Sequence, residues 1–160
     1  MLRGLISRTT TKDIDLLGEY ASEAVQPLRP LPADLARAIR DVADALGFEA
    51  DWINVGPDSL LDLGLPGGFQ ERLERAEYGD GLVVWLAGRF DMVCFKLHAA
   101  VDQGTRSHHF QDLRELRPSR EELVTAGRWT MSHDPSAGYR SLLVSILIKL
   151  GVEDADAALR

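Results

Sequence analysis

From residue 89 onward the apolar positions of this chain recur with the period of a helix. Before it they come in short runs broken by glycine and proline. Phe90, Val93, Cys94, Leu97 and Val101 form one stripe, which predicts a helix over 89–102 that Gly104 ends. Residues 107–116 read as a second helix. Ser119, with Glu122 three residues later, is a capping-box start for a third that runs to about Met131. Asp134-Pro135 opens the last long helix, with Tyr139, Leu142, Leu143, Ile146 and Leu150 at helical spacing and Gly151 as its stop.

The first half is more broken. Residues 1–12 read as a loop or short element leading into a strand at 13–17, which Gly18 punctuates. Pro27, Pro30 and Pro32 make a rigid connector. Pro32-Ala33-Asp34 opens a helix to Leu46, with Leu35, Ile39, Val42 and Leu46 as its stripe and Gly47 as its stop. Trp52–Val55 reads as a second strand, ended by Gly56-Pro57. Leu60, Leu61 and Leu63 suit a short helical turn, and Phe69–Arg75 another. Tyr78-Gly79-Asp80-Gly81 turns into Leu82–Ala87, which reads as a buried strand. Strands followed by packed helices give an α+β chain: a small mixed sheet over 1–88 and a helical part over 89–160, in the same domain or as a small subdomain.

Composition narrows the classes. With 45% hydrophobic and 27% charged residues over 160 positions, the chain has an ordinary globular composition and can bury a core without staples. A single cysteine, Cys94, excludes an internal disulfide framework and a multi-cysteine metal site. It sits on an apolar stripe and reads as a buried thiol. The net charge of −7 argues against a broad nucleic-acid surface. No apolar run is long enough to span a membrane, and Met1–Ile6 is too short for a signal-peptide core, so the expectation is a cytoplasmic protein.

Candidate chemistry starts at Asp13-Ile14-Asp15. Along a strand, Asp13 and Asp15 face the same way, roughly 6.5–7 Å apart, while Ile14 and Leu16 face a core. Asp is disfavoured in strands. Two on one face suit a hard divalent cation, and Mg²⁺ takes one or two carboxylates plus substrate phosphates. The plainer alternative makes Asp13 a turn residue and Asp15 an exposed strand residue. On the helix at 89–102, Arg89 and Lys96 project together at i, i+7, with Asp91, His98 and Asp102 on the far side. The two cations either snorkel at a core boundary or reach a phosphate or the Asp13/Asp15 site. Asp112 caps, pairs with Arg114 or orders the site indirectly. No histidine pair has a His-x-x-x-His zinc spacing, and there is no nucleophile elbow, Walker loop or dinucleotide glycine fingerprint. The tryptophans at 52, 85 and 129 read as core residues, with Trp52 a candidate cleft edge.

The run Arg8-x-Thr-x-x-Asp13-Ile14-Asp15-Leu16-Leu17 resembles the R-x-T-x-D-[IL]-D motif of the nucleotidyltransferase fold, in its minimal and AbiEii-toxin-like branches. Arg89-Phe90-Asp91, Phe95-Lys96-Leu97-x-Ala99-Ala100 and Gln111-Asp112-Leu113 are similar to that group's later block. Trp52-Ile53-Asn54 and Arg128-Trp129 to Asp134-Pro135-Ser136 also look like an uncharacterised bacterial branch of it. The resemblance spans nearly the whole chain. It implies a small mixed sheet of the nucleotidyltransferase type and Mg²⁺, or Mn²⁺ in its place, held by Asp13 and Asp15. Lys96 joins them as a catalytic position that contacts phosphate or stabilises the site, and Arg8, Thr11, Arg89 and Asp112 are implied as substrate-binding positions. The activity implied is transfer of a nucleotidyl group from a nucleoside triphosphate to a hydroxyl of a protein, RNA or small molecule, in a toxin-like setting with a cognate partner protein. The family pattern has a Gly-Gly or Gly-Ser turn ahead of the D-x-D. Only Gly4 lies among the twelve residues before Asp13, so the expectation is an N-terminally shortened core. Glu49 and Asp51 are the nearest candidates for a third carboxylate. A catalytically inactive binding module of the same fold is the alternative, and an open sheet edge would favour a homo-oligomer.

Overall fold

The computed structural model describes residues 13–160, which fall into two compact units, 13–65 and 66–160. Arg8 and Thr11 lie outside the described residues. The sequence reading divides the chain after residue 88, whereas the compact units are divided after Leu65.

In the 13–65 unit, β1 (Ile14–Asp15) runs parallel to β4 (Ile53–Asn54), pairing Ile14 with Ile53 and Asp15 with Asn54. The N–H of Ile14 donates to the Trp52 carbonyl at 2.6 Å and that of Leu16 to the Asn54 carbonyl at 2.7 Å. Between them lies a hairpin that the sequence reading missed, β2 (Glu19–Ala21) and β3 (Ala24–Gln26). Its two-residue loop, Ser22-Glu23, has positive φ at both positions, as a primed hairpin turn requires. The turn chemistry is hidden because Ser-Glu is not an Asn-Gly type signal. Gly18 is required there: a Cβ would lie 2.3 Å from the Gln26 carbonyl oxygen.

The helix α1 (Ala33–Leu46) forms where its stripe predicts, and Gly47 closes it at φ +71 with the Phe48 N–H donating to the Ala43 carbonyl. Only Ile39 and Ala43 are fully buried in it; Val42 and Leu46, read as part of the stripe, are exposed. Trp52 is half-buried, its indole N–H donating to the Ile39 carbonyl at 3.0 Å. A short helix, α2 (Ser59–Leu63), follows.

The 66–160 unit opens with a 3₁₀ turn at Gln70–Arg72 and a hairpin of β5 (Glu74–Tyr78) and β6 (Leu82–Leu86), paired from Glu74–Leu86 to Tyr78–Leu82. The predicted turn at 79–81 joins them. Two expectations change here. The helical turn read over Phe69–Arg75 is confined to the 3₁₀ turn at Gln70–Arg72 and gives way to strand from Glu74, and β6 is not buried: Leu82, Val83 and Trp85 are exposed. An apolar run reports β propensity, but whether a second layer covers it depends on partners elsewhere in the chain.

Five helices complete the unit: α3 (Arg89–Gln103), α4 (His108–Leu116), α5 (Arg120–His133), α6 (Ala137–Lys149) and α7 (Ala155–Ala158). Ser107, Ser119 and Ser136 cap α4, α5 and α6 with their hydroxyls, and Ser119–Glu122 closes the full capping box. The core is built on α3, where Val93, Cys94, Leu97 and Ala100 are wholly inaccessible, against Leu113, Leu123, Ala126, Leu143 and Leu147. Leu142, placed on the α6 stripe by its spacing, is exposed. The molecule is thus mixed α and β. Among the described residues its strands form three two-stranded ladders, β1–β4, β2–β3 and β5–β6.

Candidate functional site

Asp13 and Asp15 stand on either side of Ile14 with both side chains exposed. The backbone between them is held by the β1–β4 ladder, so both exposed residues sit on an anchored segment. Ile14, expected to face a core, is 40% exposed, and Leu16 is half-buried. A ladder two residues long with one partner strand is too small to build a covered face. Two carboxylates are an all-oxygen donor set, which suits a hard divalent cation that completes its shell with water and substrate phosphates. Among the described residues no cluster of three or more His, Cys, Asp or Glu side chains forms a closed metal cage.

The later residues have other work. Lys96 on α3 meets Asp112 on α4, Nζ to Oδ2 at 2.9 Å, with Asp112 almost wholly buried. Their neighbourhood is the helix–helix seam, where an ionised carboxylate needs a partner to offset its lost hydration. Arg89 ion-pairs with Glu122 on α5, and its Nη2 donates to the Leu116 carbonyl at 2.7 Å. So of the sequence-nominated residues the fold brings Lys96 and Asp112 together, and sends Arg89 to Glu122. Asp13 and Asp15 belong to the 13–65 unit.

Two polar groups escape the sequence reading. Asp91, expected on the far side of α3, is completely buried. Arg72 grips it from the 3₁₀ turn, with Nη2 to Oδ1 at 2.6 Å and Nε at 3.1 and 3.2 Å to the two oxygens. This bond, with desolvation working against it, holds the Arg72 guanidinium above its ordinary pKa. Asp91 also lies in the first turn of α3, where the helix dipole favours an anion. The only sequence signal for it is an acidic residue beside an apolar stripe.

The second group is His98, Thr130 and Tyr139. His98 Nδ1 lies 2.8 Å from Thr130 Oγ1, which lies 2.5 Å from the Tyr139 hydroxyl, and that hydroxyl lies 3.2 Å from His98 Nδ1. Thr130 is fully buried and Tyr139 nearly so. Trp129 and His133 pack edge-on against the His98 ring. Burial pushes the His98 pKa down, opposed by the charge of Asp102, and pushes the Tyr139 pKa up, opposed by the Thr130 hydrogen bond. The group ties α3, α5 and α6 through polar atoms in the core. Spacing cannot reveal it, since its members come from three helices.

Compared with known proteins, the chain matches no family model, no curated protein and no solved structure.

Proposed function

We propose that this chain is a nucleotidyltransferase-like protein that transfers a nucleotidyl group from a nucleoside triphosphate to a hydroxyl acceptor. The observation that carries the reading is the pair Asp13 and Asp15, exposed together on a backbone pinned by hydrogen bonds to Trp52 and Asn54. In this reading the two carboxylates hold Mg²⁺, or Mn²⁺. The ion supplies charge neutralisation for the triphosphate and alignment for in-line attack. Asp13 and Asp15 are both exposed residues, so a triphosphate arriving from solvent can complete the shell. Asp112 holds the Lys96 ammonium at a seam of the helical unit, with 17% of the Lys96 side chain accessible. That makes Lys96 a positioned cation rather than a freely moving one.

The test is calorimetric titration of ATP, GTP, CTP and UTP into the full chain, with and without Mg²⁺, beside Asp13→Asn and Asp15→Asn. Saturable binding that needs Mg²⁺ and is lost in either variant supports the reading. Equal nucleotide affinity in parent and both variants overturns it.

A second reading, a catalytically inactive module of the same type acting through a partner protein, is favoured by the engagement of Arg89, Lys96 and Asp112 in helix–helix ion pairs. It predicts a folded chain indifferent to Mg²⁺ that co-purifies with another protein.

A further inference from the structure

Where α4 ends and α6 ends, an open cavity of about 180 Å³ is lined by Leu113, Arg114, Arg117, Pro118, Lys149 and Leu150. Three of its six lining residues are cations, and none is an anion. In a chain of net charge −7 that is an unusual local balance.

The cations elsewhere in the unit are mostly spoken for. Arg72 pairs with Asp91, Arg89 with Glu122, Lys96 with Asp112, Arg120 with Asp154 and Arg140 with Asp156. Among the described residues, the side chains of Arg114, Arg117 and Lys149 have no carboxylate within ion-pairing distance and no hydrogen-bond acceptor.

Cations are common at helix C-termini because they offset the dipole and bond the last carbonyls. Here those carbonyls have other partners. The Leu113 carbonyl accepts from the Arg117 N–H, and the Leu116 carbonyl accepts from Arg89. The Ile146, Leu147 and Ile148 carbonyls accept from the N–H groups of Leu150, Val152 and Gly151. The three charged heads are therefore left to solvent or to a ligand.

The backbone adds an independent sign. Arg117 takes φ +47 and ψ 56, the left-handed cap geometry that glycine or asparagine adopts at least cost. A bulky residue held there is an observed strain, and such strain gathers at ligand clamps.

We infer that this cavity is a binding site for a small phosphoryl-bearing anion, taken between Arg114, Arg117 and Lys149. Two guanidinium groups suit the planar, bidentate recognition of phosphate oxygens, and the ammonium adds a point charge. The volume equals roughly six waters' share of the liquid, room for one or two phosphoryl groups rather than a polymer. The negative charge of the whole chain repels a long polyanion, so recognition is local. The site is built from residues 113–150 and includes neither Asp13 nor Asp15.

The experiment titrates inorganic phosphate, pyrophosphate and AMP into the full chain in the presence of a chelator, followed by calorimetry and phosphorus NMR. The variants are Arg114→Gln/Lys149→Gln, and Lys149→Arg as a charge-retaining control; thermal unfolding checks that each is folded. Saturable binding by any probe that weakens at least about tenfold in the Gln pair and survives in the control supports the site, since charge-assisted bonds carry that much affinity each. Tighter pyrophosphate than AMP marks a free oxyanion as the ligand; the reverse marks a phosphate ester. Absence of saturation by about 10 mM, far weaker than a useful affinity, overturns the site. Equal affinity in the folded Gln pair also overturns it. The Asp13→Asn and Asp15→Asn variants keep this chelator-resistant binding, so failure of the nucleotidyl-transfer reading and failure of this site are read separately.

Discussion

Arg72 and Asp91 are 19 residues apart in sequence and joined in space by three hydrogen bonds of 2.6–3.2 Å, with the carboxylate wholly out of water. The pair ties the 3₁₀ turn before β5 to the first turn of α3. Gly88 makes room for it: a Cβ there would meet Asp91 Oδ2 at 2.9 Å and the Arg72 backbone oxygen at 3.1 Å. Arg72→Ala leaves a buried, uncompensated carboxylate and is expected to cost about 3–5 kcal/mol of stability. Gly88→Ala is expected to cost about 1–3 kcal/mol by overpacking the same place. Urea unfolding of the two variants against the parent checks both values.

Lys96 and Asp112 make a different prediction, because the pair can be replaced as well as broken. Removing one partner, in Lys96→Met or Asp112→Leu, is expected to cost about 3 kcal/mol. The double variant, which fills the seam with apolar side chains, is expected to recover most of that loss. A double-mutant cycle by chemical denaturation measures the coupling. If the double variant stays stable yet loses a Mg²⁺-dependent nucleotide affinity, Lys96 has a role beyond packing.

The His98 network sets an acid limit on the helical unit. Burial holds the His98 pKa below the ordinary histidine value of 6.5, so the folded state prefers the neutral ring. The unfolded chain binds a proton more readily, and stability rises with pH through this window. The contribution is full above pH 6.5 and is lost as pH falls from there through the lower folded-state value. Around the ring stand Asp102 from α3, Thr130 and His133 from α5, and Tyr139 from α6. His98→Gln is expected to flatten the pH dependence of the melting temperature below pH 6.5, as measured by scanning calorimetry in matched buffers.

Cys94 is buried, and desolvation first, with the charge of Asp91 second, pushes its pKa up to about 12. The thiolate is the reactive form, so the native thiol is expected to resist alkylation at pH 8. Iodoacetamide labelling followed by mass spectrometry should be slow for the folded chain and fast in denaturant. Rapid native labelling would mean that the core around α3 opens.

What could be read in advance follows from how far each signal reaches. The span of helix α1, the capping box of Ser119 and the glycine stop after α6 are written in neighbouring residues and form as read, whereas α6 starts at Ala137 under a Ser136 cap rather than at Asp134-Pro135. The strand β5 is Glu-Arg-Ala-Glu-Tyr, with no β-branched residue, and becomes a strand only by pairing with β6. Asp13 and Asp15 were legible as a spacing, while the neighbours of Lys96, Arg89 and Asp91 are set by which helices meet. Arg89 and Glu122 are 33 residues apart, and nothing local to either announces the other.

That last contact joins two helix ends into one unit. Glu122 accepts the Ser119 N–H with one carboxylate oxygen and binds Arg89 with the other, while the same Arg89 holds the Leu116 carbonyl. The final turn of α4 and the first turn of α5 are therefore tethered to the same guanidinium on α3, and fraying either gives up a bond to that one charge. In amide exchange, the Ser119 N–H and the amides of the last turn of α4 should open together as one cooperative segment, with one shared free energy.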